Sequence, residues 1–284
     1  SLAMDNFRIA ILDLYEGEPN EGMRCICQLV SSFAECSLQK VTFEVFDVRS
    51  KLEMADLSFD AFISSGGPGS PLTSEGSEWE TKYFRMMDEI HRHNDTHPQQ
   101  KSVLLICHSF QLYCRQFGYA KVSKRKSTAF GVMPVHLTTE GKRDLLFRSL
   151  DEPFYAVDSR DFQVTDPSTQ LIAKRGGHIL CLEKERPHIA LPRAVMAIRF
   201  DRSFIGMQFH PEADPEGMHR YLIRDDKREA VVKRYGLHKY EQMLQHLNDP
   251  EKIRKTYQTI LPAFLNHASR TNATSYDTHP QRSV

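Results

Sequence analysis

The feature that most constrains this chain is the unbroken apolar run Val103-Leu104-Leu105-Ile106, which stops at Cys107. A strand without a polar face has to be covered on both sides, the condition met in a parallel sheet sandwiched between helices. Phe110, Cys114 and Phe117 follow with gaps of four and three, so the chain turns directly from strand into helix after Cys107. The same alternation runs upstream. Residues 7–12 (FRIAIL) are a short β-rich run, and Met23, Ile26, Leu29, Val30 and Phe33 then repeat at helical spacing. Residues 41–48 (VTFEVFDV) alternate with period two, and residues 61–64 form an apolar run that ends in the loop signal Gly66-Gly67-Pro68-Gly69. Trp79, Tyr83, Met86, Met87 and Ile90 mark a second amphipathic helix. Strands alternating with helices predict βαβ units, hence a three-layer α/β sandwich with a mostly parallel central sheet.

From about residue 130 to 210 the texture changes to shorter β-like pieces with few helical runs, which predicts an antiparallel extension completing the same domain. Beyond Pro215 the pattern is helical, with its clearest stripe at Ile253, Tyr257, Ile260, Leu261 and Phe264, and from Ser269 it is polar. The expected organisation is one α/β domain over 5–215, a helical C-terminal extension over 216–268 and a loose polar tail over 269–284. No internal repeat is visible.

Lys+Arg and Asp+Glu both number 37, so no global field recruits nucleic acid or an anionic membrane, and a small neutral or zwitterionic substrate is the easier one to accept. The longest apolar runs are about a quarter of the roughly 20 residues a membrane helix needs. Ser1-Leu2-Ala3-Met4 leads into a strand pattern without a basic n-region, so a soluble cytoplasmic protein is expected. On that expectation the acceptor triplet Asn272-Ala273-Thr274 is a chance match. The six cysteines, at 25, 27, 36, 107, 114 and 181, form no paired CxxC knuckles and are expected as reduced thiols.

Three motifs carry chemistry. Cys107 sits where a strand hands over to a helix, which presents a nucleophile at the carboxyl edge of an α/β sheet. The helix's positive end favours the thiolate, and its first free N–H groups point toward an oxyanion formed on attack. Alone, a cysteine here would be read as core packing, since free Cys is a common core residue. The segment Gly206-Met207-Gln208-Phe209-His210-Pro211-Glu212 delivers His210 at the end of a β-run, positioned to act as general base and then general acid, with Glu212 to hold its tautomer. Ser65-Gly66-Gly67-Pro68-Gly69-Ser70 is a strand-end loop whose glycines let backbone N–H groups approach a substrate while Pro68 stiffens the turn.

In this order and with these separations, the motifs resemble those of the class I glutamine amidotransferases, especially the amidotransferase domain of guanosine monophosphate synthetase and its stand-alone relatives. The resemblance covers roughly residues 7–215. It rests on SGGP at Ser65-Gly66-Gly67-Pro68 and above all on GxQFHPE, matched at every fixed position. The resemblance implies a flavodoxin-like fold and hydrolysis of the glutamine side-chain amide without a cofactor or metal. It implies Cys107 as nucleophile, His210 as base and Glu212 as orienting acid. It also implies the N–H groups of Gly67 (beside Gly66) and His108 as oxyanion donors, and Gln111 near the substrate. Asp158-Ser159-Arg160-Asp161 corresponds only loosely to the family's SHxD stretch, and its role stays open. The departure is in the nucleophile stretch, where the family's glycines two before and two after the cysteine are Leu105 and Ser109. A nucleophile elbow favours small residues there. Leu105 continues a strand buried on both faces, so its side chain is expected in the core.

The family passes ammonia to a synthetase. The chain has no P-loop GxxxxGK[ST], and the stretch after Glu212 is short for an ATP-dependent synthetase, so a separate synthetase subunit is the expected acceptor. A γ-glutamyl hydrolase or peptidase acting alone, and a catalytically inactive binding homologue, are the alternatives. His91, His93 and His97 are expected as a solvated helix end rather than a metal site. Cys25 and Cys27 face different sides of a helix, and Cys114 is expected in the core. The basic run at residues 121–126 (KVSKRK) is expected as a solvated loop, with a partner surface as its alternative.

Overall fold

The strand and helix periods materialise in order through the first half of the chain. The computed structural model describes residues 6–17, 20–249 and 251–277, with side chains to residue 270. Strand β1 (Asn6–Asp13) leads to helix α1 (Glu21–Cys36), whose cap is the Asn20 side chain accepting from the Met23 N–H at 2.8 Å. Then come β2 (Lys40–Asp47), β3 (Ala61–Ser64), α2 (Glu78–Thr96), β4 (Ser102–Ile106) and α3 (His108–Phe117). All five residues of β4 are buried. Leu104 and Ile106 enter the core shared with α1, while Val103 and Leu105 enter the core beneath α2 and α3. This two-sided burial is what the run without a polar face requires.

Strand β5 (Lys121–Leu137) and its antiparallel partner β6 (Phe154–Thr165) follow, then α4 (Thr169–Lys174), β7 (His178–Glu183), β8 (Val195–Arg199) and β9 (Phe204–Met207). Among the described residues nine strands make one sheet in the order β2-β1-β3-β4-β9-β8-β7-β5-β6. Pairings from β2 through β4 to β9 are parallel, and those from β9 onward are antiparallel, as the change of texture predicts. The basic run KVSKRK is not a loop. It is the first third of β5, paired with β6 from Lys121↔Thr165 to Lys124↔Phe162 before the register slips ahead of Ala129. Backbone pairing and the half-buried Val122 hold it in a strand although its other side chains are polar or charged.

Helices α5 (Pro215–Leu222), α6 (Asp225–Tyr235), α7 (Leu237–Asn248) and α8 (Glu251–Asp277) complete the chain. The C-terminal region divides by its packing. Ile260, Leu261, Phe264, Leu265 and Ala268 of α8 are buried in the main core with α1, each large side chain contributing roughly 1.5–3 kcal/mol. Helices α5 and α7 instead form a satellite core with Val132 of β5 and Val157 of β6, and α6 has no buried residue. The polar stretch from Ser269, expected as a tail, continues α8 to Asp277, while residues 278–284 and the side chains of Asn272-Ala273-Thr274 lie outside the described residues, as do Ser1 to Met4. No helix among the described residues is long and apolar enough to cross a membrane.

Candidate active site

Cys107 stands between β4 and α3 with φ 50° and ψ −103°. Such a backbone disfavours any side chain, at roughly 1–3 kcal/mol. It persists because its neighbours fix it. The Cys107 N–H donates to the Met207 carbonyl of β9 at 2.8 Å, and its own carbonyl accepts from the Gln111 N–H of α3 at 3.0 Å. The thiol thereby borders a cavity of about 200 Å³ at the carboxyl edge of the parallel strands.

Where β9 ends, the Gln208 N–H donates to Met196 and the His210 N–H to Val157, both at 2.8 Å, carrying His210 along the same edge. Its Nδ1 lies 2.8 Å from Glu212 Oε1. Burial disfavours the charged ring, yet Glu212 and Cys107, by charge and hydrogen bonding, outweigh it and hold the His210 pKa well above the usual 6.5. Glu212 is fully buried, and among the described residues its Oε2 has no partner.

The glycine loop closes the near side, for a reason the sequence does not show. A Cβ on Gly67 would lie 2.5 Å from the Leu14 carbonyl oxygen, and one on Gly66 would lie 2.8 Å from Tyr15 Oη and 3.0 Å from His210 Cε1. The two glycines let the loop press against the end of β1 and against the Tyr15 and His210 side chains. Arg49 ties the arrangement by donating to the Pro68 carbonyl at 2.7 Å.

Leu105 and Ser109, the two departures, are both absorbed. Leu105 is buried among Leu12, Phe62 and Phe110 and does not border the cavity. Ser109 Oγ lies 2.7 Å from Ser64 Oγ, which lies 2.7 Å from Tyr83 Oη, and it donates to the Ser65 carbonyl at 2.5 Å. The hydroxyl pins the start of α3 to the glycine-loop strand.

Gly67, Cys107, His108, Gln111 and His210 line the cavity, with Gly66 and Glu212 behind it. His108 is buried, and burial followed by the Arg49 charge pushes its pKa down to about 3, so its imidazole is neutral. Gln111 donates to the Phe162 carbonyl at 3.3 Å and to Gln208 Oε1 at 3.1 Å, and Gln208 Nε2 lies 3.5 Å from Cys107 Sγ.

The far wall is formed by Ser159, Arg160 and Asp161 of β6, from the stretch whose role the sequence left open, with Phe162 of β6 and Arg234 of α6, which sequence reasoning missed. Cys107 Sγ lies 3.7 Å from the Ser159 carbonyl. Arg234 Nη2 pairs with Asp161 Oδ2 at 3.1 Å, and Tyr235 stacks on Phe130 with centroids 4.1 Å apart. Asp158 and Arg160 form a buried pair at 3.0 Å, continued from Arg160 to Glu183 at 3.2 Å. For Gln208 a signal existed, its place two before His210; for Arg234 there was none.

The other candidates resolve simply. Cys25 is pushed up to about 12 by burial, and burial also drives the Cys114 and Cys181 thiols well above the ordinary range. His91 is not solvated: it packs against Tyr113, Phe117 and Phe204 and meets Tyr113 Oη at 2.8 Å, while His93 and His97 stack at 4.1 Å.

A central parallel sheet extended by antiparallel strands, with a strained strand-to-helix turn at Cys107 on the carboxyl edge of the parallel strands, defines an α/β protein. The family model of the glutamine amidotransferase class-I domain matches residues 25–230, and the chain belongs to that family. No curated protein matches it in sequence. Among solved structures it is similar to a glutamine amidotransferase of Thermotoga maritima, with TM-score 0.66, 15% identity, and 92% of this chain and 97% of that one covered. It is also similar to a glutamine amidotransferase of Methylobacillus flagellatus (TM-score 0.62, 12% identity, coverage 95% and 96%). A third is the glutaminase domain of Trypanosoma brucei CTPS with bound acivicin (TM-score 0.55, 14% identity, coverage 93% and 94%). At these identities the likeness is one of fold.

Proposed function

We propose that the chain hydrolyses glutamine to glutamate and ammonia through a γ-glutamyl thioester on Cys107. The observation that carries this reading is the convergence of the strained Cys107 turn with the His210–Glu212 pair at 2.8 Å on one cavity. Sγ attacks the side-chain amide carbon, and the N–H groups of Gly67 and His108 receive the oxyanion. A proton held on His210, with Glu212 behind it, goes to the departing ammonia. Water then attacks the thioester with His210 as base, releasing glutamate and the thiol. No step calls for a cofactor or a metal. Residues 5–215 carry this chemistry, and α6 finishes the far wall through Arg234.

The ammonia goes to a separate synthetase subunit. Support comes from the family and from neighbours that include the glutaminase domain of a CTPS. The Arg234–Asp161 pair at the cavity suits the zwitterionic head that glutamine shares with γ-glutamyl compounds. The free cysteines suit a reducing, cytoplasmic compartment.

The test is a glutaminase assay combined with labelling by 6-diazo-5-oxo-norleucine. The expected result is ammonia release and a single adduct on Cys107, because Cys25 and Cys114 are held protonated by burial. Labelling that maps mainly to Cys25 or Cys114 would sink the assignment.

A further inference from the structure

Arg160, at the far wall of the Cys107 cavity, also borders a second hollow of about 260 Å³. That hollow runs into a third of about 410 Å³, the two sharing Arg125, Ser127, Glu183, Lys184 and Arg186. The largest is ringed by Lys124, Arg125, Lys126, Lys184, Arg186 and Arg193, six cations against the carboxylates of Glu183 and Glu185 alone. In a chain with 37 basic and 37 acidic residues this is a strong local excess. Glu183 is already engaged, by the Ala194 N–H at 3.0 Å, Arg160 at 3.2 Å and Arg125 at 3.5 Å. Among the described residues Lys124, Lys126, Lys184 and Arg186 have no ion-pair partner.

A second observation is independent of the charge excess. Arg160 Nη1 is buried without a partner, on a side chain 2% exposed that lines the smaller hollow. Leaving such a group unpaired costs roughly 1–3 kcal/mol, which an anion reaching it would recover. A hydrated patch does not need a buried guanidinium at its floor. Nor can a folded protein partner reach one there, whereas a small anionic group can.

We propose that the joined hollows bind a small polyphosphate-bearing molecule, its phosphates held by the Lys124–Lys126 strand and by Lys184 and Arg186. Ile189 and Leu191, which line the larger hollow and are 47% and 44% exposed, offer an apolar rim to a flat ring carried on such phosphates. The site is coupled to the Cys107 cavity through β6, because Asp158 and Arg160 flank Ser159, whose carbonyl faces Cys107 Sγ. Occupancy is therefore expected to change the rate at Cys107. The coupling rests on the glutaminase reading; the binding does not.

Calorimetric titration of the full chain with tripolyphosphate, ATP and a poly-glutamate peptide at low ionic strength tests the binding directly. The expected result is saturable binding of both phosphate compounds, weakened at least tenfold in Lys124→Glu/Arg186→Glu and reduced by added salt. Tighter binding of ATP than of tripolyphosphate assigns the Ile189-Leu191 rim to the base; equal affinity makes the polyphosphate itself the ligand. Should the charge-reversed variant not fold, Lys126→Gln/Lys184→Gln, checked by its thermal melt, gives the same answer. Absence of phosphate binding, or binding undiminished in a folded variant, overturns the proposal. Binding of poly-glutamate alone overturns it too, and makes the patch a face for an acidic protein. If phosphate compounds bind but leave glutamine hydrolysis unchanged in a chain that hydrolyses it, the coupling fails and the site stands.

Discussion

The two walls of the Cys107 cavity are built in different ways. On the near wall each group lies close after the end of a parallel strand: the glycine loop after β3, Cys107 after β4, His210 and Glu212 after β9. Sheet topology brings those ends to one edge, so local sequence is enough to foresee the assembly. The far wall belongs to an antiparallel strand and to a helix without buried residues, joined by Arg234–Asp161 and the Phe130–Tyr235 stack. Its positions follow from pairing of β5 with β6 and from packing of the later helices, of which the sequence carries only a loose motif match at Asp158 to Asp161 and nothing at Arg234. The comparison teaches that chemistry is placed by the parallel half and the fit of the occupant by the later elements. Changes on the near wall should therefore act on kcat, and changes on the far wall on KM.

The largest effect is expected at Cys107. Cys107→Ala should lower glutamine turnover by on the order of 10⁵-fold or more, as loss of a nucleophile does, without unfolding the chain. Cys107→Gly should be equally inactive but more stable than Cys107→Ala by about 1 kcal/mol, because glycine accepts φ 50° freely. Equal melting temperatures for the two variants would remove the strained elbow from the comparison.

Next comes Glu212→Gln, expected to cost roughly 10³- to 10⁴-fold in kcat with KM little changed. The pH profile carries the diagnostic. His210 is held above its ordinary pKa chiefly by Glu212 once burial is overcome, so loss of the carboxylate lets the imidazolium give up its proton at lower pH. The alkaline limb of kcat should move to lower pH. A variant slowed but with an unmoved limb would mean that another acid orients the ring.

The parallel half was legible because a run such as Val103 to Ile106 has only one environment that suits it, and because Gln208-Phe209-His210-Pro211-Glu212 ties a base and an acid to one strand end. What stayed illegible is instructive in physical terms. Lys121 to Lys126 reads as a charged loop, yet backbone pairing with β6 makes it a strand. Gly67 reads as a donor position; its missing side chain is also demanded by the Leu14 carbonyl. Arg234 shows no sign in the sequence of its place at the cavity.

Leu105→Gly comes third and separates fold from chemistry within the near wall. Leu105 is fully buried and does not border the cavity. Its loss should destabilise the chain by about 2–5 kcal/mol through the void it leaves and the freer backbone. The glutamine rate of the folded variant should not rise. A tenfold gain with an unchanged melting temperature would show instead that Leu105 crowds the substrate.

The smallest effect is expected on the far wall, at Arg234. Its guanidinium is largely exposed and paired with Asp161, so its removal leaves the core intact. An exposed pair contributes about 0–1 kcal/mol to stability, and Arg234→Ala should melt close to the parent. Binding is another matter: on the proposed glutamine reading, Arg234 and Asp161 at the cavity would meet the α-carboxylate and the ammonium of the amino acid. KM for glutamine should rise about tenfold, near 1.4 kcal/mol, with kcat held within about twofold. A substrate lacking the carboxylate, 4-aminobutanamide, should show a poor KM with the parent and no further loss with the variant. If Arg234→Ala lowered kcat instead and left KM alone, the division between a wall for chemistry and a wall for fit would fall, and α6 would have to be counted with the near wall.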